Sequence, residues 1–562
     1  MDIDYQTLTF AYRPSEDCLA REPVRHPVIV IGAGPVGLAA AIDLAQQGVR
    51  TVLLDDDCTL AAGSRAICFA KRTLEIFDRL GCGERVAAKG VSWNVGRVFF
   101  QNEPVYSFDL LPETGHERPA FVNLQQYFVE GYLAERAAQL PNLEIRWKHK
   151  VVGATQDARG VRLAVQTPDG EHALEADYVV AADGAKSAVR ALLNLDSHGR
   201  TFKDRFLIAD VRMKADFPAE RWFWFDPPFH RHQSVLLHRQ PENLWRIDFQ
   251  LGWDADPVLE KSPERVIPRV RALLGPDAEF ELVWVSVYTF RCERLDAFRH
   301  GRIIFAGDAA HGVSPFGARG ANGGVQDADN LAWKLALVLQ GRAPERLIDS
   351  YAAEREFAAD ENIRNSTRST DFITPKSDVS RLFRDATLGL AKDCAFARKL
   401  VNSGRLSLPA VLRGSPLNTP DRADDAFAGA IVPGAPASDA PVKVNGSAAW
   451  LLRAIGGQFT GLFFCAASDT EGGTPITPAL VGELAAMQGW PVPVRAVVVG
   501  ASALPALPGV EVVEDCDGLV AARYDARPGT FYLIRPDQHV CARWRAFDVD
   551  AVRAALARAI GA

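Results

Sequence analysis

Four uninterrupted apolar runs set the framework of the chain. Val28-Ile29-Val30-Ile31, Thr51-Val52-Leu53-Leu54, Tyr178-Val179-Val180-Ala181 and Ile303-Ile304-Phe305 are short, rich in β-branched or aromatic residues, and followed by Gly or Asp. Such runs predict strands buried on both faces of a parallel sheet. Helical periodicity follows the first run over Leu38–Gln47 and returns over Arg72–Leu80, from Gln126, from near Asn322, and from Pro344 to about Lys399. Further strands are expected near 143–152 and 161–167. Between the third and fourth runs the texture changes. Phe206–Met213, Ser234–His238, Leu244–Leu251 and Phe280–Phe290 read as strands divided by turns, with one helical stretch at Pro263–Leu274. This predicts an inserted antiparallel sheet. A segment rich in Pro, Gly and Asp reads as a linker, and strands at Phe459–Cys465, Val494–Val499, Thr530–Ile534 and Val540–Trp544 follow it, with helices near Pro478–Gln488 and Asp550–Ile560.

The expected class is α/β. One discontinuous domain takes residues 1–199 and 291–403, beginning with an irregular arm over 1–26; the inserted sheet takes 200–290, the linker 404–436, and a C-terminal domain 437–562.

Composition narrows the picture without redrawing it. At 562 residues, 48% apolar and 24% charged, the chain is too long for a single core. A net charge of -7 leaves no footprint for nucleic acid. The acidic start, Met1-Asp2-Ile3-Asp4-Tyr5, is unlike a signal peptide. The longest apolar stretch, Val28 to Leu44, is broken by glycines, Pro35 and Asp43, so no membrane span is expected. Nine scattered cysteines without a C-x-x-C point to a reducing cytosol, and to neither a disulfide framework nor a zinc site. His230, His232 and His238 have no carboxylate or cysteine beside them in sequence, so no metal is expected there either.

The chemistry sits at the ends of the apolar runs. Gly32-Ala33-Gly34-Pro35-Val36-Gly37 lies between a strand and a helix, and Asp55 closes the next strand about 20 residues on: the dinucleotide fingerprint in its required context. Gly32 permits the turn, Gly34 lets a pyrophosphate approach, Gly37 packs helix on sheet, and Asp55 can take both hydroxyls of an adenosine ribose. The motif alone does not separate FAD from NAD. After Ile303-Ile304-Phe305, Gly307-Asp308 arrives at a strand end and a glycine-rich turn leads to a helix. One carboxylate there can accept from ribityl hydroxyls, and backbone N–H groups at a helix start favour negative charge at a flavin's pyrimidine edge. Arg65 can meet a phosphate, and Gln126 can reach a cofactor from a first helical turn. Asp183-Gly184 ends another buried strand and leads into a loop carrying Lys186, Ser187 and Arg190, and the residues alone do not reject a plain turn capped by an aspartate.

In order and spacing these three motifs resemble those of the class A flavoprotein monooxygenases, the aromatic hydroxylases typified by p-hydroxybenzoate hydroxylase and phenol hydroxylase. The resemblance covers roughly residues 27–375. It implies a Rossmann-like FAD-binding domain with the inserted sheet as substrate domain. It also implies that Asp55 holds the adenosine ribose, that Arg65 and Gln126 touch FAD, and that Asp183 and Arg190 form the motif shared by FAD and pyridine nucleotide. By the same resemblance Asp308 binds the ribityl chain, and Pro315 with the Gly320-Ala321-Asn322 backbone lines the ring. The C-terminal part resembles the thioredoxin-like domain of the phenol hydroxylase branch, through Phe531-Tyr532-Leu533-Ile534-Arg535-Pro536-Asp537. Lacking a reactive Cys pair, it implies a structural or dimer-forming role, hence a homodimer as candidate assembly.

The expected activity follows from the flavin. NADPH or NADH binds transiently and reduces FAD, O2 is captured as a C4a-hydroperoxide, and a small phenolic or otherwise activated aromatic substrate is hydroxylated. Trp222, Trp224 and Tyr288, among the aromatics of the insert, are candidate walls of the substrate pocket. Tyr288 and Asp248 are the candidate phenol proton acceptors. Arg221, Arg246 and Arg291 are candidate partners for a substrate carboxylate. Two alternatives stand beside this reading: a flavin-dependent halogenase, faintly suggested by Trp222-x-Trp224-x-x-Pro227, and a non-oxygenase FAD-binding protein.

Overall fold

The computed structural model describes residues 4–20, 22–61, 63, 65–401, 406–465, 476–502 and 504–562. Ser64 and the first two linker residues, 404 and 405, lie outside them. Among the described residues three large sheets organise the chain. In the first, the four apolar runs become neighbours: Ile303–Phe305, Gly170–Ala181, Val24–Ile31 and Thr51–Asp55 run parallel in that order, with Leu143–Trp147 beyond. Val28, Ile29 and Val30 are fully buried because helices cover the sheet. Helix Pro35–Gln46 packs against helix Gly320–Leu339, and a hairpin of Lys150–Gln156 and Val161–Thr167 pairs onto the long strand Gly170–Ala181.

The second sheet departs from the expected limits of the insert. Its order is His311–Gly312, Glu281–Leu295, Ser197–Arg212, Leu244–Leu251, Ser234–Arg239, Arg221–Phe225, Val95–Phe100, Glu103–Asp109. The last two strands come from well before residue 200, and Val95–Phe100 joins Arg221–Phe225 in parallel. A range of 200–290 is therefore too narrow. Residues 95–109 supply half-buried strands whose partner lies more than a hundred positions away in sequence. The helix Pro263–Leu274 forms where expected, with Pro263 in its first turn, and covers one face through Val266 and Val270.

The third sheet, near the C-terminus, has Phe459–Phe464 and Val494–Gly500 parallel at its centre and Phe531–Ile534 with Val540–Trp544 antiparallel at one side. Residues 406–436 of the expected linker are docked on it and form no loose tether. Arg543 holds the Asp421 carboxylate and the Ile431 carbonyl, and Ile431 is buried in the core beneath the sheet.

A buried charged network joins this unit to the first domain. Arg535 donates to both oxygens of Glu354, at 2.6 and 3.0 Å, and Lys334 and Asn330 donate to the same carboxylate at 2.7 Å. Burial alone would raise the Glu354 carboxyl, but Arg535 and Lys334 hold it far below its usual range. The same burial pushes the Lys334 ammonium down to about 8 despite Glu354. The carboxylate thus gains most from the pairing. Removing the charge leaves Lys334 buried without an anion and Arg535 with Asp537 alone, so Glu354→Gln is expected to cost about 3 kcal/mol. Because the folded pKa is depressed, that contribution is complete above the unfolded carboxyl pKa and is lost as pH falls through the folded one. The urea midpoint of the variant should fall below wild type at pH 7 and approach it in acid.

Candidate active site

The groove begins at the glycine loop. Gly32 has a φ of 101° and a Cβ there would meet the Ala182 carbonyl at 2.5 Å; at Gly37 it would meet the Gly32 carbonyl at 1.8 Å. Gly34 caps the helix and faces open space, and Pro35 opens its first turn. Asp55 braces the loop: one oxygen accepts from the Ala33 N–H and the other from the Asp57 N–H at 2.8 Å. Its remaining lone pairs can still accept from a ribose. Gln126 accepts from the Ala66 N–H at 3.0 Å and donates to Glu130 at 2.8 Å, so it fixes the loop that carries the exposed Arg65.

At the second motif one Asp183 oxygen accepts from the Val189 N–H at 3.1 Å while the other is buried without a partner. Ser187 caps the short helix Ala188–Leu192. Arg190 donates to the Ala309 carbonyl at 3.2 Å, which ties this motif to the third. The reading of Asp183 as the cap of a turn therefore holds. It steadies the turn and leaves a free oxygen.

The third motif is built around a residue that sequence reasoning missed. Asp327, fully buried on helix Gly320–Leu339, accepts from the Gly307 N–H at 2.9 Å and from Arg355 at 2.6 Å, and pairs with His311 at 2.7 Å. Burial would raise its carboxyl, yet His311 and Arg355 hold it below the usual range. Gly307 takes a φ of 62°, and the next residue, Asp308, presents a carboxylate with no hydrogen-bond partner among the described residues. An open carboxylate, a bare Gly34 and a helix starting at Gly320 fit a flavin nucleotide. Pro315 and Ala321 lie on the rim, at the glycine-rich turn and in the first helical turn. The Asn322 side chain accepts from the Ala70 N–H and donates to the Cys68 carbonyl, so only its backbone is left for a ring.

The second sheet closes the groove. Side chains directly opposite one another share a face, so Arg221, His238, Arg246, Asp210 and Trp284 form one row, and Phe223, Leu236, Asp248, Ile208 and Ser286 the next. Tyr288 stands beside Phe206 on this same face. The face looks onto the cofactor loops: Phe206 packs edge-on against Phe316 at 4.7 Å, and the Cys68 sulfur lies 3.9 Å from His238. Trp222 and Trp224 are one residue out of phase. They pack on the opposite face with Phe99 and Phe217, so they do not wall the pocket. Arg291 is exposed and turned to Glu293. His230 is spent on the Gln250 carbonyl, and His232 is exposed.

Five groups on the pocket face carry the electrostatics. Asp210 neutralises Arg246 through two contacts of 2.8 and 2.9 Å. Arg221 is 7% exposed and has no hydrogen-bond or ion-pair partner among the described residues. Burial pushes the Asp248 carboxyl up to about 6 against the pull of Arg246, and its Oδ1 is unpartnered. Burial also pushes the Tyr288 phenol up to about 12, with Asp308 adding to the shift.

The FAD binding domain family matches residues 25–366, well over half of the chain. The chain belongs to this family. The flavoprotein is 29% identical over 358 residues to a 3-(3-hydroxy-phenyl)propionate/3-hydroxycinnamic acid hydroxylase of Mycolicibacterium smegmatis, covering 64% of this chain and 63% of that relative's length. It is 29% identical over 550 residues to hydroxylase 2 of the same description from Burkholderia vietnamiensis, covering 95% and 96% of the two chains. The flavin-dependent monooxygenase PieE, solved with FAD and substrate, shares the fold with a TM-score of 0.76 at 23% identity, covering 96% of this chain and 100% of that one.

The two carboxylates of the third motif make opposite expectations. Asp308→Ala should weaken FAD about tenfold or more while leaving apoprotein stability near wild type, because the side chain has no protein partner to lose. Asp327→Ala should lower both. Fluorescence titration of FAD into deflavinated protein, alongside thermal melts, separates the two.

Proposed function

We propose that the flavoprotein is an NAD(P)H- and O2-dependent hydroxylase of phenolic rings, and that its substrate carries a carboxylate. The observation that carries the reading is Arg221, buried and unpartnered on the face that also holds Asp248 and Tyr288. A buried guanidinium with no hydrogen-bonded anion is costly, and a substrate carboxylate relieves that cost with a two-pronged fit. Similarity to two hydroxylases of 3-(3-hydroxy-phenyl)propionate and 3-hydroxycinnamic acid supports a phenolic acid.

Bound FAD supplies the acceptance of electrons from NAD(P)H and the activation of O2. The protein supplies the rest. Asp55 holds the ribose, the Gly34 backbone admits the pyrophosphate, and Asp308 accepts from the ribityl hydroxyls. Arg221 anchors the substrate carboxylate and thereby fixes which ring carbon is presented. Asp248, with a carboxyl near 6, is ionised at neutral pH yet basic enough to draw the phenol proton, which makes the ring carbon nucleophilic. Tyr288, at about 12, stays protonated and orients the ring as a donor. Phe223 and Leu236, on the row of Asp248, keep water away. The position of Trp222 and Trp224 behind the sheet disfavours the halogenase alternative. We read the C-terminal unit as thioredoxin-like in architecture and without redox chemistry: burial pushes the Cys465 thiol up to about 11 and that of Cys541 up to about 12.

A panel of phenols, with and without a carboxylate, should stimulate NADPH oxidation unequally, the acids most, with products heavier by one oxygen in mass spectra. Arg221→Ala should lower kcat/KM for acids by roughly 30-fold or more and change neutral phenols little. If both classes fall alike, the anchor assignment is wrong. The kcat/KM of wild type should rise with pH through about 6 as Asp248 ionises. Asp248→Asn should lower the plateau by about 100-fold and abolish that limb.

A further inference from the structure

Away from the pocket face, three potential metal ligands from separate parts of the chain converge. Cys18 lies in the 3-10 turn Glu16–Leu19 of the N-terminal arm, His149 in the turn between strands Leu143–Trp147 and Lys150–Gln156, and His172 near the start of strand Gly170–Ala181. One ligand atom from each lies within 4.8 Å of the others. Cysteine spacing alone pointed away from zinc. The fold brings Cys18 to two histidines that lie more than a hundred residues further along the chain.

His149 carries the argument. It is 1% exposed, and its Nδ1 lies 3.0 Å from the Trp147 carbonyl, which fixes the proton on that nitrogen. The lone pair is then on Nε2, which is buried with no hydrogen-bond partner. An imidazole held by a backbone carbonyl with its other nitrogen bare is the usual arrangement of a metal-binding histidine. The Cys18 sulfur lies 3.7 Å from His172 Nδ1 and 3.8 Å from Nε2. About 3.6 Å is the separation of sulfur and nitrogen on one tetrahedral zinc with ordinary bond lengths. His172 is only half-buried, so its ring can turn either nitrogen onto an ion. Arg146, the nearby cation, is neutralised by Asp17 at 2.7 Å and by Glu144 at 2.8 Å.

We propose that Cys18, His149 and His172 form a zinc site with one position left for water. On coordination the Cys18 thiol releases its proton to solvent and binds as thiolate. The site clamps the N-terminal arm to the strand end that carries Asp55, because the His149 N–H donates to the Asp55 carbonyl at 2.7 Å. The role is structural and independent of the proposed hydroxylation.

The FAD-loaded full chain would be equilibrated with zinc chloride, dialysed and analysed for metal, with iodoacetamide labelling of Cys18 followed by peptide mass. About one zinc per chain should remain. Zinc should slow alkylation of Cys18 by roughly tenfold or more, as expected when a thiolate is held by metal. Cys18→Ser and His172→Ala, both at half-buried positions, should lose the zinc and keep the yellow flavin. Retained flavin shows that each variant is folded. Zinc retention no greater in wild type than in these variants overturns the site, as does Cys18 labelling at the same rate with and without zinc.

Discussion

Three donors converge on the buried carboxylate of Asp327, and the shape of the cofactor groove follows from that convergence. The Gly307 N–H, His311 and Arg355 come from a strand end, the turn beyond it and a neighbouring helix. A buried anion is tolerated only when its hydrogen-bonding capacity is filled. Filling it draws Gly307 into a left-handed turn against helix Pro35–Gln46, where a Cβ would meet Val36 at 3.0 Å. Asp308, the next residue, is left with its carboxylate facing outward. The same packing sets the start of helix Gly320–Leu339 beside it. One residue without a direct part in the chemistry thus positions both groups that suit a flavin.

A second constraint acts through the pleat of the substrate sheet. Alternation sends Arg221, Phe223, His238, Arg246, Asp248 and Tyr288 toward the cofactor loops and sends Trp222, Trp224 and Trp245 to the far side, under helix Pro263–Leu274. The bulky aromatics make a second core that stiffens the sheet. The pocket face is left to charged groups, two of which, Asp210 and Arg246, cancel. Arg221 and Asp248 are then the groups whose burial is offset only by charges without a direct contact, and such burial concentrates where a ligand completes the site. The C-terminal unit is held to this framework by buried charge. Arg535, Lys334, Glu354 and Asp537 lock its position relative to the helices behind the groove.

What the sequence by itself determined is everything written in local pattern. Apolar runs gave the parallel strands because a strand covered on both faces leaves no room for polar alternation, and Gly32-x-Gly34-x-x-Gly37, Asp183-Gly184 and Gly307-Asp308 marked their ends because tight turns and close approaches restrict residue type. The helix Pro263–Leu274 lies where a helical stretch was expected near those residues. What only the tertiary structure decided depends on partners far apart in the chain. Asp327 carries no local signal of its role, which exists only because Gly307 and Arg355 are placed against it. The strands at 95–109 joined a sheet whose other members begin a hundred residues later. Trp222 and Tyr288 seemed equal candidates for the pocket, since period-two alternation separates two faces but does not say which one meets the cofactor. Registry, face and convergence are set by packing among distant segments, and no local window of sequence contains them.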